Sequence, residues 1–310
     1  MVSAPTFNPN SFVHGINQVE WDNLLKNRDK PLTNKAISGL YPPGSTIKTL
    51  TALSALENDV VNTKLVVNCK GYIDLHGERF HCWKKKGHGV VSMRTAIKKS
   101  CDIYFYEVSR RLGIDRLAAT ARKFGLGKKV LQDYNEEKAG VVPNTKWKIR
   151  ELGKNWYIGE TLHSGIGQGY FLTTPLQLSL MTAQIANGGF KIQPRILIKE
   201  NDKISNLQKY LNYKNSGPDN SMSIDDQIFN FDLQPLFRNQ ENINLVKDAM
   251  FAATNEVGGT SYRSRHKEKK FMFAGKTGSS QIKRFTEAQR KAEVKQENID
   301  YLDRDHAWFV

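Results

Sequence analysis

The strongest hydrophobic period in the chain starts at Thr46, where Ile47, Leu50, Leu53 and Leu56 recur at helical spacing with Ala52 and Ala55 between them. This spacing lays one apolar stripe along a helix, and Pro43-Gly44 just ahead of it blocks extension towards the N-terminus, so the helix is predicted to open at Ser45. A second helical pattern covers residues 95–112 and stops at Gly113, and a third covers 115–124 and stops at Gly125; the two are expected to form a helical hairpin. Thr174-Pro175 offers an N-cap and a first-turn proline to Leu176, Leu178, Leu180 and Ile185, with Gly188-Gly189 as the stop. Residues 244–256 predict one more helix before Gly258-Gly259. After it, 270–275 reads as a short buried strand leading into Lys276-Thr277-Gly278, and 307–310 as a second late strand.

Between these elements the pattern weakens. The first forty residues, rich in Asn and Pro, predict mostly irregular chain on the surface. Residues 205–232 are polar throughout and read as a surface insertion, while 282–304 are charged and partly helical in pattern. Helices dominate and strands come late, which is an α/β arrangement of the α+β type. A globular domain seldom stops inside a strand, so residues 1–310 are expected to be a fragment of one domain.

Composition adds class but no function: 39% hydrophobic and 25% charged residues are ordinary for a globular protein. No run approaches the ~18 apolar residues of a membrane span, and Met1-Val2-Ser3-Ala4-Pro5 lacks the basic and apolar regions of a signal peptide. The net charge of +15 is spread over Lys84-Lys85-Lys86, 263–270 and 284–295, with acidic residues among the last two. Without a recognised nucleic-acid module this charge reads as a solvated face or an attraction for anionic envelope polymers, and no nucleic-acid partner is expected.

Chemistry enters at Ser45-Thr46-Ile47-Lys48, an S-x-x-K match. The pattern recurs at Ser264 to Lys267 and Ser280 to Lys283, so the match alone decides nothing. Only Ser45 opens an amphipathic helix, where i and i+3 share a face and bring Lys48 towards the hydroxyl, and where the helix N-terminus favours a developing oxyanion. Ser100-Cys101-Asp102 then stands where an S-x-N motif is needed, and Lys276-Thr277-Gly278-Ser279 supplies K-T-G. A second S-x-D, Ser223 to Asp225, sits in the polar insertion without such company.

Taken together, Tyr41-Pro42-Pro43-Gly44-Ser45-Thr46-Ile47-Lys48, the segment from Ser100-Cys101-Asp102 to Tyr106, Gly165-Ile166-Gly167-Gln168-Gly169-Tyr170 with Thr173-Thr174-Pro175-Leu176-Gln177, and Ala274-Gly275-Lys276-Thr277-Gly278 resemble the class B penicillin-binding proteins. Asp102 and Trp83-Lys84-Lys85-Lys86-Gly87-His88-Gly89 resemble the elongation-type branch, penicillin-binding protein 2. The resemblance runs from Ser3 to Val310 and implies that residues 1–310 are a transpeptidase domain truncated at both ends, since such proteins carry a membrane helix and a pedestal before it and further strands and a helix after it. It implies a penicillin-binding, serine β-lactamase-like fold, with an antiparallel sheet flanked by helices and a largely helical subdomain.

The same resemblance implies a D,D-transpeptidase inhibited by β-lactams, acting in cell elongation and rod-shape maintenance. Ser45 would attack the D-Ala-D-Ala carbonyl of a peptidoglycan stem peptide, Lys48 would serve as base, and Ser100 would relay a proton to the leaving group. Lys276 would add a cation, Asp102 would hold Lys48, and Thr277, Gly278 and Ser279 would line the substrate carboxylate site. The Ser45 and Ser279 N–H groups would form the oxyanion hole. A membrane glycosyltransferase of the elongation machinery would be the partner, and the periplasmic face of the inner membrane the location. No cofactor is needed for that chemistry. A D,D-carboxypeptidase or a non-enzymatic β-lactam sensor would carry the same motifs. A β-lactamase would need a carboxylate-positioned water, for which no segment before Gly165 stands out.

The three cysteines, Cys69, Cys82 and Cys101, all lie between the first two motifs, with His88 among them as C-x12-C-x5-H-x12-C. Three thiolates and an imidazole suit a tetrahedral structural zinc. The alternatives are a Cys69–Cys82 disulfide with Cys101 buried as a small hydrophobe, or a zinc site that recruits His81 or His76 instead.

Overall fold

A computed structural model describes residues 1–131, 134–196, 235–282 and 296–310. The predicted insertion at 205–232, with its Ser223–Asp225 motif, lies outside the described residues, as does Lys283. Ten α-helices are described: α1 Gln18–Lys26, α2 Lys35–Ser38, α3 Lys48–Glu57, α4 Met93–Lys98, α5 Asp102–Leu112, α6 Ile114–Lys123, α7 Thr145–Leu152, α8 Ile158–Gly165, α9 Pro175–Ala186 and α10 Gln240–Asn255. Their order and the strands among them match the α+β expectation, and none is long and apolar enough to cross a membrane.

Helix α3 is the axis of the core. Nine of its ten residues are buried, and Ile47, Leu50 and Leu53 share one buried apolar cluster with Tyr104, Phe105, Leu117 and Val246 from the surrounding helices. Each such side chain contributes about 1.5–3 kcal/mol of hydrophobic stabilisation. The helix does not begin directly at Ser45. A 3-10 turn, Gly44–Ile47, carries the serine and feeds into α3, so the nucleophile candidate sits on the tight entrance of the helix. The α9 expectation holds in detail: Thr174 accepts the Gln177 N–H, Gln177 returns a bond to the Thr174 N–H, and Pro175 fills the first turn.

The predicted helix over 95–112 is broken. α4 ends at Lys98 and α5 starts at Asp102, because Ser100 adopts a left-handed conformation with φ 54°. The Cys101 N–H reaches the Ala96 carbonyl at 2.9 Å and the Ser100 N–H the Ile97 carbonyl at 3.2 Å, the hydrogen-bond pattern of a helix C-terminus that usually places glycine where Ser100 stands. The opening forty residues also carry more structure than their composition suggests, since Asn17 caps the nine-residue α1.

Strands appear earlier than expected. β1 (Val66–Cys69) pairs antiparallel with β4 (Gly89–Ser92), setting Cys69 opposite Gly89, and β2 (Tyr72–Leu75) forms a hairpin with β3 (Glu78–His81) between them. The late strand is shifted from its predicted place. Lys269–Phe271 form a 3-10 turn and residues 271–274 are exposed, whereas the ladder starts at Lys276 and runs as β5 (Thr277–Ser280) against β6 (His306–Phe309). The Lys276 and Val310 main chains exchange bonds of 2.8 and 3.1 Å, which is what makes 276 the true start of pairing.

Candidate active site

The turn that carries Ser45 is clamped from three sides. The Gly44 N–H donates to the Gly167 carbonyl at 2.9 Å, Thr46 Oγ1 to the Pro43 carbonyl at 2.7 Å, and Ser280 Oγ and Trp308 Nε1 to the Pro42 carbonyl at 2.6 and 3.0 Å. Position 44 must be glycine: its φ is 55°, and a Cβ there would press on the Ser279 carbonyl oxygen at 2.7 Å. Strand β5 therefore lies directly against the serine turn, and Ser45 itself is half-buried. Of the two other S-x-x-K serines, Ser264 lies exposed in a short turn and Ser280 is buried with its hydroxyl committed to Pro42.

Lys48, three residues on from Ser45 at the first position of α3 and fully buried, donates to Asp102 Oδ1 at 2.6 Å, the Ser100 carbonyl at 3.0 Å and Ser100 Oγ at 3.3 Å. Lys276 comes from the opposite wall, donating to the same Ser100 Oγ at 3.0 Å and to the Thr277 carbonyl at 2.8 Å. One hydroxyl thus bridges two buried lysines. Burial, and then the Lys48 charge, hold Lys276 well below the ordinary lysine range, with Asp102 opposing. Burial pushes the Asp102 carboxyl up, and the Lys48 ammonium opposes it. The left-handed conformation at Ser100 is what turns its hydroxyl and carbonyl towards these partners. Thr277 is half-buried, Gly278 buried and Ser279 exposed, and Gln168 Nε2 donates to the Ser279 carbonyl at 3.2 Å.

Trp83 is a residue that pattern reading did not assign a role. Its main-chain N–H donates to Asp102 Oδ2 at 2.8 Å, and its indole N–H is shared by the Lys99 and Ser100 carbonyls at 3.1 and 3.0 Å. No spacing rule marks this role; the signals available are its position right after Cys82 and its place at the head of the Trp83-to-Gly89 segment that resembles the elongation-type branch.

Behind this array the four predicted sulfur and nitrogen ligands converge. Cys69 closes β1, Cys82 follows β3, His88 precedes β4 and Cys101 precedes α5, yet their ligand atoms all lie within 4.8 Å of one another. His88 Nδ1 stands 3.6 Å from Cys69 Sγ and 3.5 Å from Cys82 Sγ, while its buried Nε2 has no partner. All three cysteines are free and buried. The Cys101 thiol donating to the Cys82 sulfur pulls Cys82 down and holds Cys101 up, and burial raises Cys69. Residues 69–70 and 87 approach so closely that a Cβ on Gly87, whose φ is 74°, would collide with the Cys69 carbonyl. His76, at the tip of the β2–β3 turn, and His81 are both exposed and outside this group.

The family model for the penicillin binding protein transpeptidase domain matches residues 1–310. The chain is 36% identical over 312 residues to the peptidoglycan D,D-transpeptidase MrdA of Acinetobacter baumannii, an alignment covering all of this chain and 43% of that protein. Among solved structures it is similar to Pseudomonas aeruginosa PBP2 in complex with WCK 5153, with 34% identity, a TM-score of 0.78 and coverage of 100% of this chain and 61% of that one. It is also similar to Helicobacter pylori PBP2 in complex with MreC, with 30% identity, a TM-score of 0.80 and coverage of 99% and 50%. The chain thus spans under half the length of the first of these relatives.

Proposed function

The chain belongs to the penicillin-binding protein transpeptidase family, and from that premise we propose that it is the cross-linking domain of an elongation-type peptidoglycan synthase. The observation that carries this reading is the Ser100 hydroxyl held between Lys48 and Lys276 beside the serine turn. Ser45 Oγ attacks the carbonyl carbon of the penultimate D-Ala of a stem peptide while its proton passes to Lys48 as base. The tetrahedral intermediate collapses, the C–N bond breaks, and the departing D-Ala amine takes a proton through Ser100, leaving an ester on Ser45. An amine from a neighbouring stem peptide then attacks the ester, gives up a proton through the same groups, and Ser45 Oγ regains one. Asp102 orients Lys48, Lys276 donates to the Ser100 hydroxyl from the other side, and Thr277, Gly278 and Ser279 hold the substrate carboxylate. The Ser45 and Ser279 N–H groups stabilise the oxyanion.

β-Lactams acylate the same serine in this reading, and the domain works on the periplasmic face of the inner membrane with a membrane glycosyltransferase of the elongation machinery as partner. The similarity to MrdA and PBP2 proteins supports the elongation assignment.

The four converging residues Cys69, Cys82, His88 and Cys101 would hold a structural zinc. Three free thiols facing one imidazole nitrogen are a donor set that suits this ion. Through these four residues the ion would tie the end of β1, the segment after β3, the residue before β4 and the start of α5 together, supplying structural support and no acyl-transfer chemistry.

A fluorescent penicillin is expected to label the intact protein at Ser45, located by peptide mapping, and Ser45→Ala is expected to abolish the label. Labelling of Ser45→Ala at Ser264 or Ser280 would overturn the assignment. Turnover of a labelled stem peptide then separates the outcomes: a cross-linked product is the expected one, and release of D-Ala without cross-linking, or a single stoichiometric acylation by β-lactam without peptide turnover, refutes the transpeptidase reading.

A further inference from the structure

Beyond α10 the chain makes a tight turn whose bonds do not depend on the active site. The Glu256 N–H donates to the Ala252 carbonyl at 3.1 Å, Gly259 to Glu256 at 3.0 Å and Ser261 to Ala253 at 3.0 Å. The Glu256 carboxylate is gripped by Arg94 Nη2 and Lys98 Nζ, both at 2.6 Å, which fastens the turn to α4. At its crest the Thr260 N–H donates to the Lys98 carbonyl at 3.2 Å, two residues before Ser100. The Thr260 main chain is therefore fixed to the same helix end that presents the Ser100 hydroxyl.

The Thr260 side chain faces the other wall. Thr277 Oγ1 donates to Thr260 Oγ1 at 2.9 Å, and both residues are half-buried. A threonine hydroxyl has one proton and two lone pairs, whereas a carboxylate only accepts. When a substrate carboxylate meets Thr277, the single Thr277 proton must turn to it, and the vacated lone pair of Thr277 can be met only by a donor behind it. Thr260 is placed to be that donor, and hydrogen bonds in such a chain polarise one another.

We propose that Thr260 is a positioning residue for the substrate carboxylate, its hydroxyl reversing direction on binding to donate to Thr277. The inference rests on the acyl-transfer reading above and adds a residue to it. Because Thr260 hangs from α4, it also sets the distance between the carboxylate site and the Ser100 bridge.

The test separates hydroxyl from methyl in the intact protein. Valine keeps the shape of Thr260 and removes its proton; serine keeps the proton and removes the methyl. With a fluorescent penicillin, whose carboxylate occupies the same place, Thr260→Val is expected to weaken the pre-acylation binding constant ~10-fold while changing the limiting acylation rate by less than about twofold. Thr260→Ser is expected to stay within about twofold of the unmodified protein in both. Combining Thr260→Val with Thr277→Val is expected to cost no more than Thr277→Val alone, since the two hydroxyls act as one chain. Unchanged binding in Thr260→Val, or Thr260→Ser as impaired as Thr260→Val, overturns the proposal while leaving the acyl-transfer reading intact. Absence of label on the unmodified protein overturns both.

Discussion

Lys48→Ala is expected to slow acylation of Ser45 by a fluorescent penicillin by about a thousandfold and to destabilise the fold by about 3 kcal/mol. The two losses have different origins. Lys48 is fully buried and pairs with Asp102 at 2.6 Å, so removing the ammonium strands a buried carboxylate, a change that typically costs ~3–5 kcal/mol. The lower end applies because Asp102 keeps the Trp83 main-chain N–H at 2.8 Å. The kinetic loss comes from the missing proton acceptor, for which factors of ~10²–10⁴ are usual. Lys48→Ala combined with Asp102→Asn removes the stranded charge as well, so denaturant unfolding should show most of the stability returning while acylation stays low. Recovery of acylation in the double variant would mean that Lys48 serves only to neutralise Asp102, and acylation of Lys48→Ala within tenfold of the unmodified protein would remove it as base.

What the sequence made legible, and what it hid, follows from how local each signal is. Ser45 stood out because Pro43-Gly44 punctuates a strong helical period, and that punctuation survives as a 3-10 turn. Helix α9 carries every local end signal a helix can have, and it formed where expected. The break at Ser100 was invisible because the left-handed residue there is a serine, where glycine or asparagine would have marked a helix end. The same serine is needed as the hydroxyl bridge between Lys48 and Lys276, so chemistry displaced the residue that would have announced the geometry. Strands β1 to β4 gave little sign because they are four residues each and little buried, with a single buried position in each of β1, β3 and β4 and none in β2. The apolar run Phe271-Met272-Phe273 drew the predicted strand too early; it is exposed, and pairing depends on where β6 can reach, a long-range fact that no local window contains. Thr260 and Trp83 act through partners 17 and up to 19 positions away, and such pairs leave no periodicity.

Cys101→Ser is the variant expected to have the largest effect on the fold outside the acyl-transfer groups. Cys101 is wholly buried, and oxygen replaces sulfur there with little change in shape, so packing alone predicts a small loss. A ligand role predicts much more, because one of four donors is gone and metal affinity contributes directly to folding free energy. Elemental analysis of gently purified intact protein is expected to find about one zinc per chain, falling to below about a tenth in Cys101→Ser. The melting temperature should drop by roughly 5–15 °C, which corresponds to a few kcal/mol for a domain of this size. Chelator treatment distinguishes the causes: it should lower the melting temperature of the unmodified protein to that of Cys101→Ser and leave the variant unchanged. Hydrogen exchange should rise over 69–88, where Gly87 packs on the Cys69 carbonyl, and at Ser100 next to the lost ligand. Acylation should slow with it, because the Ser100 bridge and Asp102 flank Cys101 and depend on the start of α5 for their geometry. Protein that contains no zinc, or a chelator that leaves both melting temperature and exchange unchanged, would reduce the cluster to three buried thiols and a histidine packed in the core.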